Sequence, residues 1–472
     1  MSLTIANNSL SQTAQNNLQR ATSGFKQSLE RLSSGLKINR GADGPAALVI
    51  SEKQRAQIAG LKTAIDNSEK ASALVQTAEG ALNEINSLLV KIRSLALDSA
   101  NEGVNDSDAL AANQAEIDNA LDTIDRIANN TQFGIKKLLN GEAGKTGTPT
   151  DSDISFLNAT SDTQAGSYTV TVTTAAERAT VEAGVAQTAV LAADETLVVN
   201  NISIDLFQGM NQAQVIDRIN DFTAQTGVMA DAGGAGGETR LYSEAFGASS
   251  SISVSSNTAA AATSSGLGTG TLTDVGVDVV ADIGGNSYTG QGNVVTSQGG
   301  SAKGLSIAIG EDPADATTSV TGAQGSVSVA DNSLSFQIGP NANQTAQISI
   351  GKAESGSLGI GEAGNQFANL GEIKVLSAAQ SNDALAIIDA AIDDVTTLRG
   401  DLGAFQANTL EATANNLRAT LENTINAESV IRDTDFASEI SEFTRGQVLQ
   451  QAGASVLSSA NQVPQLVLSL LG

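Results

Sequence analysis

Gly359-Ile-Gly361-Glu-Ala-Gly364 spells GxGxxG, and Asp383 stands about 20 residues beyond, where a carboxylate would meet the ribose of a dinucleotide. That chemistry needs a helix to open right after the glycines. The following NQFANLGEI is poorly helical, so the favoured reading is a loop. Asn105-Asp106-Ser107-Asp108 has the look of the start of a calcium loop but lacks the remaining ligand spacing, and a helix start with Asp108 near its N-terminus is preferred. Gly233-Gly-Ala-Gly-Gly237 lacks the aspartates and the repetition of calcium-binding nonapeptides and reads as a flexible turn. Carboxylate pairs at Asp389 with Asp393–Asp394, and at Asp433 with Asp435, could share protons in acid–base work. On long polar helices they read as solvated faces. No catalytic residue, cofactor site or metal site is therefore expected.

Composition narrows the choice further. The 472 residues contain no Cys, His or Trp. Without Cys there are no disulfides, thiol catalysis or thiolate metal sites. Without His the commonest general base and HExxH zinc chemistry are gone. Lys plus Arg number 25 against 51 Asp plus Glu, a net charge of −26, which argues against a nucleic-acid reader and against anionic lipid. Aromatic residues make up 3%, so cores must be thin layers of small aliphatic side chains, as in helix bundles and β-sandwiches. The longest apolar stretch, Val463–Leu471, is interrupted and far short of the roughly 20 residues a membrane span needs, so no membrane insertion is expected. The start MSLTIANNSL lacks the features of a signal peptide. The expectation is a cytoplasmic protein, or one exported by a route that ignores such peptides.

The elements that carry these residues divide the chain in three. Residues 1–140 hold 14 basic and 15 acidic residues, residues 141–370 hold 6 and 23, and residues 371–472 hold 5 and 13. Both ends are rich in Leu, Ile, Ala, Gln and Asn, and the middle in Gly, Ser, Thr and Val. Near the start, Leu18, Phe25 and Leu32 recur every seven residues, with Leu29 beside them. A break follows at Gly35, Gly41 and Asp43-Gly44-Pro45, and Pro45 suits the first turn of a new helix. Val75, Ala78, Leu82, Ile85, Leu89, Ile92 and Ala96 then step by three and four, a coiled-coil seam. A helix over 45–100 would be about 84 Å long, which suits a rod. After the polar turn NEGVNDSDA, Leu110, Ile117, Leu121, Ile124 and Ala128 share one face.

Toward the other end, Ile388, Ala391, Val395, Leu398, Leu402 and Phe405 step in the same way, and Leu410, Leu417, Leu421 and Ile425 prolong the stripe. A last helix over 436–461 carries Ile440, Phe443, Val448, Leu449, Ala452, Val456 and Leu457, with Leu470 beyond it. The spacing predicts that 75–96 packs on 388–405 within the chain. Segments 1–32 and 440–471 have no third partner there, so they are expected to be unfolded in the monomer and to pack between subunits. In the middle, Tyr168–Val172 alternates, and Leu197–Val199 and Ile202–Ile204 flank Asn200-Asn201, a type I′ turn candidate. A short helix over Gln212–Phe222 follows, then strands at Ile252–Val254, Leu305–Ile309, Val327–Val329, Leu334–Ile338 and Ala346–Ile350. Residues 246–273, poor in large side chains, are expected to be an exposed, weakly ordered surface.

The fold class expected is α + β and multidomain: a long antiparallel α-helical coiled-coil rod formed by both chain ends, with a β-rich insertion at its far end. The division is 1–43 with 436–472 as terminal helices, 44–165 with 327–435 as rod and hairpin region, and 166–326 as outer insertion.

Both ends resemble bacterial flagellin. RLSSGLKINRGADGPAALVISEKQRAQIAGL at Arg31–Leu61 resembles the family's N-terminal signature. LLVKIRSLALDSAN at 88–101 and IDRIANNTQFG at 124–134 resemble the helices after it, and ANQVPQLVLSLLG at 460–472 its C-terminal end. ETLVVNNISIDL with VIDRIN at 215–220 resembles the small repeat of flagellins and hook-associated proteins, and LSFQIGPNANQTAQISI at 334–350 the strand pair leading back to the rod. Gly44-Pro45 departs from the usual acidic-Ala pair, and Asn200-Asn201 from the usual Asn-Gly.

The resemblance implies a subunit exported unfolded by the flagellar type III apparatus, which polymerises into the extracellular filament used for swimming. Its partners would be itself, an export chaperone, the filament cap and hook-associated proteins. It also implies recognition by the flagellin-sensing Toll-like receptor, through a segment matching Lys91 and Leu95 with Glu116 beside it. A hook–filament junction protein and a secreted adhesin on a helical stalk are the alternatives.

Overall fold

The computed structural model describes residues 8–101 and 103–471, with side chains up to residue 462. The readings of the extreme N-terminus, of Glu102 in the polar turn and of the apolar side chains from Val463 on lie outside it.

The chain forms two compact units, and the first is helical. Helix α1 spans Ser9–Ser34 and ends where Gly35, at φ 73°, donates its N–H to the Arg31 carbonyl. The left-handed turn is one that glycine adopts without a Cβ clash. The Asp43 carboxylate then accepts the N–H groups of Asn39 and Arg40 at 3.1 and 2.8 Å, which holds its pKa below the ordinary carboxylate value and fixes the loop before Pro45. Helix α2 starts at Pro45 and runs to Ser99, and its first half belongs to this unit. Against it packs helix α7, Ala412–Arg432, burying Leu61, Ala64, Ile65 and Leu417 with Leu421 at the edge. Arg418 and Arg432 tie α7 to Glu69 and Glu52 at 2.6 and 3.0 Å. The chain then crosses beside the first loop, where Lys37 donates to the Arg432 carbonyl at 2.7 Å and Thr434 to that of Gly35 at 3.0 Å. Asp435 accepts from the Ala437 and Ser438 N–H groups, opening helix α8, Phe436–Leu471.

Helices α1 and α8 pair with one another. Each supplies an apolar stripe that the other can cover.

In the second unit the latter half of α2 joins helix α3, Ser107–Asn130, and helix α6, Ala378–Ala404. Asp106 caps α3 by accepting from Ala109 at 2.8 Å, and Asp108 sits in the first turn. Between α6 and α7 the seven residues Phe405–Glu411 are a π-helix.

The β-rich middle holds two separate aliphatic cores. The first is enclosed by a five-stranded sheet, ordered 286–289, 280–283, 166–174, 322–331, 145–149, and a three-stranded one, ordered 294–296, 305–309, 154–159. Val170, Val172, Ile283, Val295, Leu305, Ile307 and Val327 fill it. Because strands 145–149 and 322–331 share one sheet with 166–174, residues 166 and 326 fall inside a folded unit and not at its edge. The second core lies between residues 177 and 276. Its sheets are ordered 272–275, 251–256, 195–199, 202–206 and 180–182, 240–243, 228–231, packed with helix α4, Gln212–Asn220, and the short helix α5, Thr223–Thr226. The expected helix through Phe222 ends at Asn220, and Phe222 instead precedes α5.

Residues 246–273 are not a weakly ordered surface. Ile252, Val254 and Leu267 are core, and Ser256 and Ser265 are buried. The Glu195 carboxylate, itself buried, accepts from the Ser256 hydroxyl at 2.5 Å and from the Ser265 N–H at 2.8 Å. Small residues let this loop lie flat, and the hydrogen bonds satisfy the buried carboxylate.

Candidate assembly surface

The α1–α8 pair is antiparallel. Asn8 donates to the Ala460 carbonyl at 3.0 Å, Ser11 bonds Asn461 at 2.6 Å, and Arg31 meets Glu439 at 3.6 Å. Between these ends Phe25 stacks on Phe443 with centroids 4.8 Å apart. Glycines set the approach. A Cβ at Gly446 would lie 3.4 Å from Phe25, and one at Gly453 would lie 3.1 Å from Leu18. Leu18 and Phe25 are seven residues apart, as are the two glycines, so one heptad of knobs sits on one heptad of notches. Alongside runs a groove of about 750 Å³ lined by both helices, from Ala14 to Arg31 and from Glu439 to Val456.

The pairing covers only part of the apolar surface. Leu18, Phe25, Leu32, Phe443 and Leu457 are half-buried. Leu29, Ile440, Val448, Leu449 and Val456 are exposed, with Ile440, Val448 and Val456 at 53–58%. The Leu470 side chain lies outside those described. Sequence reasoning did not single out Gly446 and Gly453, although the shared spacing with Leu18 and Phe25 was there to be read.

The residues assigned to the rod core are placed as follows. Val75, Leu82, Ile85, Leu89, Ile92, Ile388, Val395 and Leu402 are fully buried, and Leu398 is half-buried. Arg93 grips Asp389 at 2.6 Å, joining α2 to α6 on the outside of that seam. On another flank Lys91 pairs with Glu116 at 2.5 Å across α2 and α3, with Leu95 half-buried nearby in sequence.

The groups that could do chemistry are otherwise employed. Gly359 donates to Asp394 at 2.9 Å in an irregular loop, and no helix opens directly after Gly364. The Asp383 carboxylate accepts from Gln366 at 2.6 Å, and burial pushes its pKa up. Asp433 accepts from Ser429 at 2.5 Å. Among the described residues no group of three or more acidic side chains could hold a metal ion, and no helix is long and apolar enough to cross a membrane.

Helices from both chain ends that pair and still leave apolar faces open, with charged groups spent on caps and ion pairs, are the features of a structural, assembling protein. Residues 5–143 match the bacterial flagellin N-terminal helical region, and residues 385–471 match the bacterial flagellin C-terminal helical region. The flagellin of Salmonella rubislaw is 34% identical over 511 aligned residues, and flagellin B of Vibrio anguillarum 30% over 479, each comparison covering 100% of both chains. Among solved structures, flagellar hook associated protein-3 of Legionella pneumophila overlaps 80% of this chain and 97% of its own at 12% identity, with a TM-score of 0.28, too low to argue from. The chain belongs to the bacterial flagellin family. It is a structural subunit of the flagellar filament, an extracellular assembly.

Proposed function

We propose that α1 and α8 are the polymerisation elements of this subunit. Leu18, Phe25, Leu29, Leu32, Ile440, Phe443, Val448, Leu449, Val456, Leu457 and Leu470 carry the contacts between copies. One observation carries the reading: five of these large apolar side chains stay exposed after the two helices have paired. Burial against further copies would remove that surface from water at roughly 25 cal/mol per Å². Head-to-tail contacts that do not close would then extend into a helical fibre. Val75, Leu82, Ile85, Leu89, Ile92, Ile388, Val395, Leu398 and Leu402 hold the rod, and the acidic β-rich middle faces outward. The chain is exported unfolded with a chaperone, assembles beneath a cap and adjoins hook-associated proteins. Having no Cys, it cannot be trapped by a disulfide beforehand.

Seeding purified protein with filament fragments tests this. Full-length chain should elongate the seeds, and chain lacking residues 1–32 and 440–472 should remain folded and monomeric. Filaments formed by the trimmed chain would move the polymerisation elements elsewhere.

A host contact fits the same surface logic. Lys91, Leu95 and Glu116 would meet the flagellin-sensing Toll-like receptor, Leu95 as an apolar anchor within a charged rim.

A further inference from the structure

The helix running from α6 into α7 carries one residue too many for its own repeat. Fully buried Leu402 and Leu410 are eight residues apart, while Leu410 and Leu417 are seven apart. On a continuous α-helix Leu410 would stand about 80° round the axis from Leu402. The extra residue is taken up by the π-helical turn Phe405–Glu411. π-turns are rare and are generally less stable than the α-helix around them.

Two further contacts belong to this turn. Gln406 donates to Glu411 at 3.0 Å, a bond between residues five apart. On an α-helix such residues point well away from each other, but on a π-turn they are neighbours. At its start Phe405 packs on Phe336 with ring centroids 6.4 Å apart. Just before it lie Gly400 and Gly403, neither of which has any atom within 4 Å of where a Cβ would stand. No close approach requires these glycines, so their effect is to soften the helix beside the turn.

We infer that Phe405–Glu411 is a one-residue register device. The turn stores a residue that the α6–α7 helix can release or pass along. The apolar row Leu410, Leu417 and Leu421 therefore has two settings, one residue apart, and Gln406–Glu411 fastens the present one.

Hydrogen exchange on the full chain tests this. Amides of Phe405–Glu411 should exchange together, ahead of those of α6 and α7. Deleting exposed Asn408 restores the seven-residue spacing and leaves one setting, so exchange in the segment should slow about tenfold with both helices intact. Deleting exposed Thr396 within α6 puts the seam out of phase and should strip protection from the helix. Gln406→Ala should speed exchange about threefold in the segment alone. If the Asn408 deletion unfolds the helix as the Thr396 deletion does, or leaves the segment's exchange unchanged, the stored residue is not spare and the inference is overturned. An unchanged rate in Gln406→Ala would overturn the fastening role.

Discussion

Phe25 stacks on Phe443 at 4.8 Å, and the Gly446 backbone passes so close to Phe25 that a methyl group would touch it. The stacking and the notch adjoin one another: a methyl group at position 446 would make ordinary contact with Phe25, and a larger side chain would press on it. Gly446→Val and Gly453→Val are expected to force α1 from α8, at a cost of about 1–3 kcal/mol each for overpacking. Phe443→Ala should cost about 1–2 kcal/mol, since the ring is half-buried and aromatic pairs add roughly 0.5–1.5 kcal/mol. Circular dichroism melts would read the loss, and seeded elongation would show its effect on assembly. Gly446→Val elongating seeds as the parent does would count against α1–α8 pairing in the assembled state.

The second β core joins the first through a narrow neck, with Phe246 from this segment packed against the first core. Glu177 and Val277 exchange hydrogen bonds at 2.8 and 3.0 Å, so the chain leaves and returns through adjacent residues. Deleting Arg178–Gly276 with a two-residue link should give a chain that folds and elongates seeds into thinner filaments. A wider cut over 175–320 would remove strands 280–283 and 305–309 from the first core and should aggregate instead. Electron microscopy separates the outcomes.

Lys145 and Asp331 stand directly opposite on strands 145–149 and 322–331, joined at 2.5 Å. The Lys145 ammonium first, and then Ser333, hold the Asp331 carboxyl down at about 2. A lowered carboxylate pKa stabilises the fold above its ordinary value near 3.8, and the benefit fades as pH falls toward 2. Asp331 is 41% exposed, so screening limits this to about 1 kcal/mol or less. Asp331→Asn should lower the melting temperature at pH 7 and have little effect near pH 2. An equal loss at both would point to packing.

Lys91 is engaged with Glu116 and, unlike Arg, cannot form a forked contact with a second acceptor. Receptor activation in reporter cells should therefore rise for Lys91→Arg and fall for Leu95→Ala. Equal potency of Leu95→Ala and parent would remove the anchor.

Legibility followed the physics of each signal. The seam from Val75 to Ala96 was readable because burial on one helix face imposes steps of three and four on the sequence. The five-residue step from Phe405 to Leu410 departs from steps of three and four, and it marks the π-turn. The order of residues 246–273 is not legible in composition, which measures apolar area and is blind to hydrogen bonds. What buries that loop is the Glu195 carboxylate gripping Ser256 and Ser265.

Asn200-Asn201 was half legible. Both residues have positive φ, as a type I′ turn demands, and Val199 faces Ile202. Not legible was the Asn200 side chain, which accepts from Ser253 and donates to the Thr226 carbonyl, each at 2.9 Å. Asn201→Gly should therefore stabilise by a few tenths of a kcal/mol through relief of the left-handed strain. Asn200→Gly should cost about 1–3 kcal/mol through two lost hydrogen bonds. Denaturant titration of both variants would show whether the two asparagines differ as described.

The bond from Asn8 to Ala460 joins residues 452 positions apart. A polypeptide is made from its N-terminus, so α1 is among the first helices to exist, yet its covering face arrives with the last. A chain cut short anywhere before α8 presents an α1 that nothing can close. The pairing can therefore form only after most of α8 has been made.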